Sequence, residues 1–163
     1  MTLITDHINV SIAQQTLTLV KDGKAIHTYS VSTAKNGAGE LNGSGKTPRG
    51  RHIIRAKIGG DRPQNAVFIG RRFTGEVYSP ELAKTFPNRD WILSRILWLS
   101  GTEVGKNRLG HVDSMRRYIY IHGTPDSEPM GEPLSHGCIR MRNEDVMSLF
   151  ELVPVGCSVD IQE

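Results

Sequence analysis

Residues Ile121–Arg142, with the sequence IHGTPDSEPMGEPLSHGCIRMR, limit the possible folds and functions of this chain more than any other stretch. They contain two of the six histidines, one of the two cysteines and three of the eight prolines. The overlapping residues Tyr118–His122 read YIYIH, and this alternation predicts a β-strand that ends at His122. The strand therefore presents an imidazole at the start of a loop, which is a common position for site residues.

The rest of the chain predicts a mainly β fold with a few short helices, in a single domain over residues 1–163. The 17 glycines and eight prolines favour a turn-rich architecture over a helical bundle. Asp22-Gly23 lies between two alternating segments and predicts a hairpin, because glycine accepts a positive φ. The predicted strands cover 8–20 (as one strand or two), Ala25–Thr33, Arg51–Ile58, Val67–Gly70, Trp91–Leu99 and Ser158–Ile161.

Two helices are predicted as well. Ser79 can cap the first, Ser79–Phe86, and Asn143 can cap the second, which ends at Pro154. Apolar residues repeat at helical spacing in the second helix and predict one buried face. They are Val146, Leu149, Phe150 and Val153.

A glycine-rich loop is predicted over residues 34–50. Gly45-Lys46-Thr47 is similar to part of a phosphate-binding loop, but Glu40 occupies the position of the required first glycine. Pro48 follows where a helix should begin and donate its N–H groups. We therefore expect this segment to lie at the surface and to lead into the next strand.

The N-terminal sequence indicates a cytoplasmic protein, and the charge pattern bears on its partners. The net charge is +3 and the basic residues are dispersed, which argues against a nucleic-acid partner. Asp6 interrupts the apolar core that a signal peptide needs, and no apolar run is long enough to span a membrane. The location would be periplasmic if the natural protein carried an export signal. Cys138 and Cys157 do not form a disulfide framework, and Cys157 is predicted to be a small buried hydrophobe.

Cys138 is the candidate nucleophile, since a thiolate attacks carbonyl carbon once a neighbouring base removes its proton. His136 lies two residues away, so its side chain runs parallel to the thiol and is poorly aligned for proton transfer. His122 comes from a different strand, and we predict that it is the base, oriented by a backbone carbonyl. The N–H groups of Gly137 and Cys138 could face a developing oxyanion.

Two alternatives explain the same residues without nucleophilic catalysis. One is a buried structural cysteine near two packed histidines. The other is a zinc site formed by His111, His122, His136 and Cys138, although the paired ligand spacing of common zinc motifs is missing.

The motifs His122-Gly123-Thr124 and Ser135–Met141 (SHGCIRM) resemble the signature of the YkuD-type L,D-transpeptidase family. That signature is a His-Gly, a loop of about this length, then Ser/Thr-His-Gly-Cys, a hydrophobe and Asn or Arg. Further similar stretches are Leu17–Val20, Tyr29–Thr33, Lys46–Gly50 and Arg95–Gly101, so the resemblance covers nearly the whole chain and is loosest across 59–90.

The resemblance implies a β-sandwich-like domain with a few helices and a cysteine enzyme that acts on peptidoglycan stem peptides. Cys138 would be the nucleophile and His122 the general base, oriented by the Gly123 carbonyl. Ser135, His136, Gly137 and Arg140 would shape the site and the oxyanion hole. The implied reaction is attack of Cys138 on the L-centre carbonyl of diaminopimelate, which expels D-Ala and leaves a thioester. It needs no metal or organic cofactor, and carbapenem β-lactams are expected covalent inhibitors.

The acceptor of the thioester separates two functions. Transfer to an amine of a second stem peptide is transpeptidation, which forms 3–3 cross-links or attaches proteins to peptidoglycan. Transfer to water is L,D-carboxypeptidation. Because the N-terminus predicts a cytoplasmic protein, which would meet soluble muropeptides, we expect hydrolysis in murein recycling. A third possibility is a non-catalytic module that binds stem peptides.

Overall fold

The computed structural model describes residues 6–163 and confirms the mainly β class with short helices. That the whole chain forms a single domain stays a prediction. The described residues contain ten strands and two helices. In chain order these are β1 (His7–Ser11), β2 (Thr16–Lys21), β3 (Lys24–Ser32), β4 (Gly50–Ile58), β5 (Ala66–Ile69), β6 (Arg72–Val77), α1 (Pro80–Thr85), β7 (Ile92–Gly101), β8 (Tyr120–Thr124), β9 (Ile139–Arg142), α2 (Asn143–Leu152) and β10 (Ser158–Gln162).

Across residues 6–163 the strands form one sheet, in the order β4-β10-β1-β2-β3-β9-β8-β7-β5-β6. An additional pairing of β4 with β7 closes the sheet on itself and leaves the β5–β6 hairpin attached to β7. Most neighbours in the described sheet are antiparallel, but β1 and β10 are parallel, and so are β8 and β9. The two strands that flank the predicted loop from His122 to Cys138 therefore lie side by side.

Several local predictions are confirmed. The segment 8–20 divides into two antiparallel strands, and the hairpin that follows turns at Asp22 and Gly23, with φ values of 52° and 75°. Ser79 caps α1, because its hydroxyl accepts the N–H of Leu82 at 3.1 Å. In α2 the predicted apolar face is buried in the main core, together with Cys157.

The predicted strand at Tyr118–His122 is wrong in its bounds. The strand begins at Tyr120, because Tyr118 has a φ of 56°, in the left-handed region that an extended strand excludes. It continues to Thr124, so His122 lies in the middle of the strand and not at its end.

The predicted cap of the second helix is also wrong. Asn143 is the first residue of α2 and is fully buried, and Arg142 stands at the cap position without a side-chain hydrogen bond. The Asn143 amide instead accepts from Ser94 Oγ at 2.7 Å and donates to the carbonyl of Thr124 at 2.9 Å. It therefore joins the bulged strand β7 to the end of β8, close to the site.

Within the described residues no helix is long and apolar enough to cross a membrane.

His52 is a buried histidine that links β4 to the loop before β8. Its Nδ1 donates to the carbonyl of Gly50 at 3.0 Å, and its Nε2 accepts from Ser114 Oγ at 2.8 Å. Burial lowers the pKa of His52, so the folded protein holds a neutral imidazole.

This arrangement predicts a loss of stability in acid. Below about pH 6.5 the unfolded chain binds a proton at His52 that the folded chain excludes, so the free energy of unfolding falls as the pH falls. The slope from this group is at most about 1.4 kcal/mol per pH unit, until the folded pKa is reached. Denaturant unfolding between pH 7.5 and 5 should show a shallower pH dependence for His52→Gln than for the unmodified protein. His27→Gln, which changes an exposed histidine, is the control, and equal slopes in all three proteins would contradict the prediction.

Candidate active site

The pairing of β8 with β9 places the candidate nucleophile and base on one face of the sheet. His122 is opposite Arg140 in the parallel register, and Cys138 directly precedes β9. Because side chains alternate along a strand, Tyr120 and His122 share a face with Cys138 and Arg140. The opposite face carries Ile121 and contributes to the main core.

His122 is buried and held by its neighbour. Its Nδ1 lies 2.7 Å from the carbonyl oxygen of Gly123, the backbone acceptor expected from the sequence. Burial lowers the pKa of His122, so the ring is neutral, with Nδ1–H donating and Nε2 carrying a lone pair. Only glycine fits at position 123, because an added Cβ would collide with Asn143 Oδ1 and the carbonyl of Leu93.

Cys138 is half-buried and makes two hydrogen bonds with the segment before β8. Its thiol donates to the carbonyl of Tyr118 at 3.3 Å, and its Sγ accepts the N–H of Tyr120 at 3.3 Å. Burial raises the pKa of the Cys138 thiol to about 12. In residues 6–163 no hydrogen bond joins the thiol to the His122 ring. The resting site therefore holds a neutral thiol beside a neutral imidazole.

The turn that carries Cys138 is fixed by hydroxyl groups. Ser135 Oγ donates to the carbonyl of Cys138 at 2.6 Å and accepts the N–H of Gly137 at 3.2 Å. Gly137 has a φ of 134°, which favours glycine. The buried Thr47 donates its hydroxyl to the carbonyl of Gly137 at 2.9 Å, and so fixes the peptide between Gly137 and Cys138.

This turn leaves one main-chain donor for an oxyanion, where the sequence suggested two. The N–H of Gly137 is occupied by Ser135 Oγ. The N–H of Cys138 points away from the carbonyl that Thr47 holds, because the peptide is planar and trans. Among the described residues it donates to no acceptor. It is therefore the main-chain group that could stabilise an oxyanion next to the thiol.

The remaining predicted residues border the site. Arg140 is buried and pairs with Asp90, with 3.0 Å between Nη2 and Oδ1. His136 has an exposed side chain whose Nδ1 lies 3.5 Å from the same carboxylate. The structure thus brings Ser135 and Gly137 into direct contact with the Cys138 turn, and places Arg140 and His136 around Asp90.

Sequence reasoning missed several residues around the thiol. Arg117 donates to the carbonyls of Gly39, Glu40 and Lys46 and so ties the glycine-rich loop to the site. Tyr120 could have been found, because the alternation YIYIH places it on the same face as His122. Asp90 and Arg117 have no sequence signal, since their contacts are with distant segments.

The zinc alternative has no geometric support among residues 6–163. No group of three or more histidine, cysteine or acidic side chains there is arranged to hold a metal ion. His111 lies in the short helical turn Gly110–Val112, outside β8 and β9.

Comparisons with known proteins identify relatives of this architecture. The family model YkuD, described as an L,D-transpeptidase catalytic domain, matches residues 5–161. The protein named probable L,D-transpeptidase YbiS of Escherichia coli K12 is 54% identical over 43 residues, which cover 26% of this chain and 14% of YbiS.

Two solved structures share the fold. L,D-transpeptidase 3 from Mycobacterium tuberculosis, in complex with a faropenem-derived adduct, matches with a TM-score of 0.61 and 19% identity, covering 98% of this chain and 61% of that one. L,D-transpeptidase LdtMt1 in complex with imipenem matches with a TM-score of 0.58 and 19% identity, covering 98% of this chain and 59% of that one. The chain thus matches less than two thirds of the length of each of these relatives.

The neutral thiol predicts an unusual pH dependence of Cys138 alkylation. Since iodoacetamide reacts with the thiolate, and the pKa is raised to about 12, the rate should rise with pH throughout the range in which the fold persists. Mass spectrometry of the peptide that contains Cys138 measures this rate separately from that of Cys157. A plateau near neutral pH would contradict the prediction and would indicate a thiolate–imidazolium pair in the resting enzyme.

Proposed function

The chain belongs to the YkuD family of L,D-transpeptidase catalytic domains, and on this premise we propose that it transfers acyl groups between peptidoglycan stem peptides. The observation that carries the proposal is the shared face of β8 and β9, where a thiol and a neutral, carbonyl-anchored imidazole lie on adjacent strands. YbiS is named a probable L,D-transpeptidase and the Mycobacterium tuberculosis relative an L,D-transpeptidase, and these names favour an amine as the acceptor.

The first half of the proposed reaction forms a thioester. Cys138 Sγ attacks the L-centre carbonyl of diaminopimelate while its proton passes to Nε2 of His122. The oxyanion is stabilised by the N–H of Cys138. When the intermediate collapses, the C–N bond to D-Ala breaks, and the amine of D-Ala takes the proton from His122.

The second half transfers the acyl group. The amine of a second stem peptide attacks the thioester and passes a proton to His122. The C–S bond then breaks, and the sulfur of Cys138 regains that proton, so the enzyme returns to its starting state.

The resting electrostatics favour transfer of the thiol proton during the attack, not before it. A thiol with a pKa near 12 is almost entirely protonated at neutral pH, and the lowered pKa of buried His122 disfavours an ion pair. The Gly123 carbonyl fixes the ring so that Nε2, and not Nδ1, holds the free lone pair. Ser135 and Thr47 hold the sulfur and the oxyanion donor in one rigid turn.

Water in place of the amine would make the protein an L,D-carboxypeptidase. The expectation of a cytoplasmic enzyme in murein recycling came from the N-terminal sequence, part of which lies outside the described residues. It stays a prediction that the following assay separates from transpeptidation.

We predict that the protein releases D-Ala from disaccharide tetrapeptides and forms cross-linked dimers. Cys138→Ala should abolish both products, because it removes the nucleophile. His122→Gln should lower kcat by about 10²- to 10⁴-fold, because it removes the base. Chromatography with mass spectrometry of the products measures both reactions, and His27→Gln is the control for loss of a histidine far from the site.

Each alternative has its own result in this assay. D-Ala release without dimers would establish the carboxypeptidase. Peptide binding without D-Ala release would establish the non-catalytic binding module. Turnover by Cys138→Ala would remove Cys138 from its proposed role.

We further predict that imipenem acylates Cys138. The complexes of two relatives with imipenem and with a faropenem-derived adduct support this proposal. Intact-protein mass spectrometry should show one adduct per chain, and Cys138→Ala should show none. Because His122 accepts the thiol proton in this step too, His122→Gln should be acylated more slowly. An adduct retained by Cys138→Ala would place the reaction at another residue.

A further inference from the structure

Arg71 lies in the turn between β5 and β6 and is held by three aromatic residues, Trp98 of β7, Tyr120 of β8 and Tyr118 of the segment before β8. The centre of its guanidinium is 4.6 Å from the ring centroid of Tyr118 and 4.9 Å from that of Trp98. Its Nη1 donates to the hydroxyl of Tyr120 at 2.9 Å. The planar cation therefore has a fixed position, with a donor edge beyond the rings.

The same tyrosines hold the candidate nucleophile. The carbonyl of Tyr118 accepts the thiol of Cys138, and the N–H of Tyr120 donates to its sulfur. The main chain of these residues thus fixes Sγ while their side chains fix the guanidinium. The thiol contacts the main-chain N–H of Tyr120 and the guanidinium contacts its hydroxyl, so the two groups border the same residue.

Within the described part of the chain, no acidic side chain compensates the charge of Arg71. Among residues 6–163 no carboxylate forms an ion pair with Arg71, nor with Arg55, whose guanidinium lies 5.3 Å from the Trp98 ring, nor with Arg116. Across the site, Arg140 is instead neutralised by Asp90. Of the five N–H donors of Arg71, one is used by Tyr120 in the described residues, and the side chain is half-exposed.

The backbone conformation at Arg71 indicates that side-chain contacts, and not the turn itself, favour an arginine at this position. Gly70 and Arg71 form the two-residue turn, with φ values of 56° and 65°. A turn with two positive φ values favours glycine or asparagine at both positions, so an arginine is locally disfavoured here. Its contacts with Trp98, Tyr118 and Tyr120 supply the compensating stabilisation.

We propose that Arg71, supported by Trp98 and Tyr118, binds a carboxylate of the donor stem peptide. The inference rests on the proposed function, because it takes the peptide class from the reaction at Cys138. A guanidinium held over aromatic rings presents parallel N–H donors at its free edge, which match the two oxygens of a carboxylate. Arg71 is thus a specificity-determining residue that orients the peptide, and it takes no proton in the reaction.

The test measures binding in the Cys138→Ala protein, where turnover does not interfere. Calorimetry compares the tetrapeptide L-Ala-γ-D-Glu-diaminopimelate-D-Ala with three peptides in which one carboxylate at a time is amidated. Adding Arg71→Gln should weaken binding of the free tetrapeptide by about ten- to a hundredfold. In the Cys138→Ala protein that retains Arg71, amidation of the recognised carboxylate should weaken peptide binding by a similar factor. In the protein that also carries Arg71→Gln, the same amidation should change the affinity little.

Two further variants separate recognition from packing. Arg72→Gln, which removes the neighbouring exposed arginine, should leave binding unchanged. Arg71→Lys keeps the positive charge but loses the planar pair of N–H donors. The affinity of this variant for the tetrapeptide should therefore lie between that of the protein with Arg71 and that of Arg71→Gln. Melting temperatures of all variants report any loss of folding.

The experiment gives different results if the role of Arg71 is wrong and if the proposed acyl-transfer function is wrong. If Arg71→Gln binds the tetrapeptide as tightly as the Arg71 protein does, the role of Arg71 is overturned while the peptide substrate stands. If every amidation has the same effect in both proteins, Arg71 does not bind a carboxylate, and its role is packing alone. If the Cys138→Ala protein with Arg71 intact binds no peptide, and the unmodified protein releases no D-Ala, the proposed function is overturned as well.

Discussion

The parallel pairing of β8 with β9 is the constraint on which the site depends. It sets His122 opposite Arg140 and places Cys138 beside Tyr120. A shift of one residue in this register would turn the imidazole and the thiol to opposite faces of the sheet. Contacts from outside the pair hold the register: Asn143 joins the end of β8 to β7, and Thr47 fixes the turn before β9. The geometry of the candidate site is thus a property of the closed sheet, and no single loop supplies it.

Burial has opposite effects on the two reacting groups. It raises the pKa of the Cys138 thiol and lowers the pKa of His122, so both groups rest in their neutral forms. A preformed ion pair would need two desolvated charges in close contact, which is costly without further hydrogen bonds. The candidate site instead offers fixed dipoles: the Gly123 carbonyl at one end of the imidazole and the N–H of Cys138 next to the thiol, where it could stabilise an oxyanion. Such preorganisation stabilises charge as it forms.

Around this neutral centre the charges are unevenly distributed. Asp90 neutralises Arg140 and approaches His136. Arg55 and Arg71 instead lie over aromatic rings and have no carboxylate partner in the described part of the chain. The arginines near the candidate site therefore differ in whether an acidic side chain of the protein compensates their charge.

The sequence by itself determined the features that depend on local chemistry. Alternation, the Asp22-Gly23 turn and the Ser79 cap predicted the mainly β class and much of the element order, because each acts over a few residues. The two motifs identified the family, and with it the candidate thiol and imidazole. The sequence could not assign Asn143, because an asparagine before a helix has the same local pattern whether it caps the helix or bonds across the sheet. Nor could it find Asp90, Arg117 or Arg71, since each acts through partners brought together only when the sheet closes. The tertiary structure alone decided that the N–H of Cys138 has no acceptor in the described residues, that the Cys138 thiol and the His122 imidazole rest neutral, and that an arginine lies over aromatic rings near the candidate nucleophile. The physical reason is that desolvation and long-range hydrogen bonds depend on which segments are buried together, and spacing along the chain does not specify this.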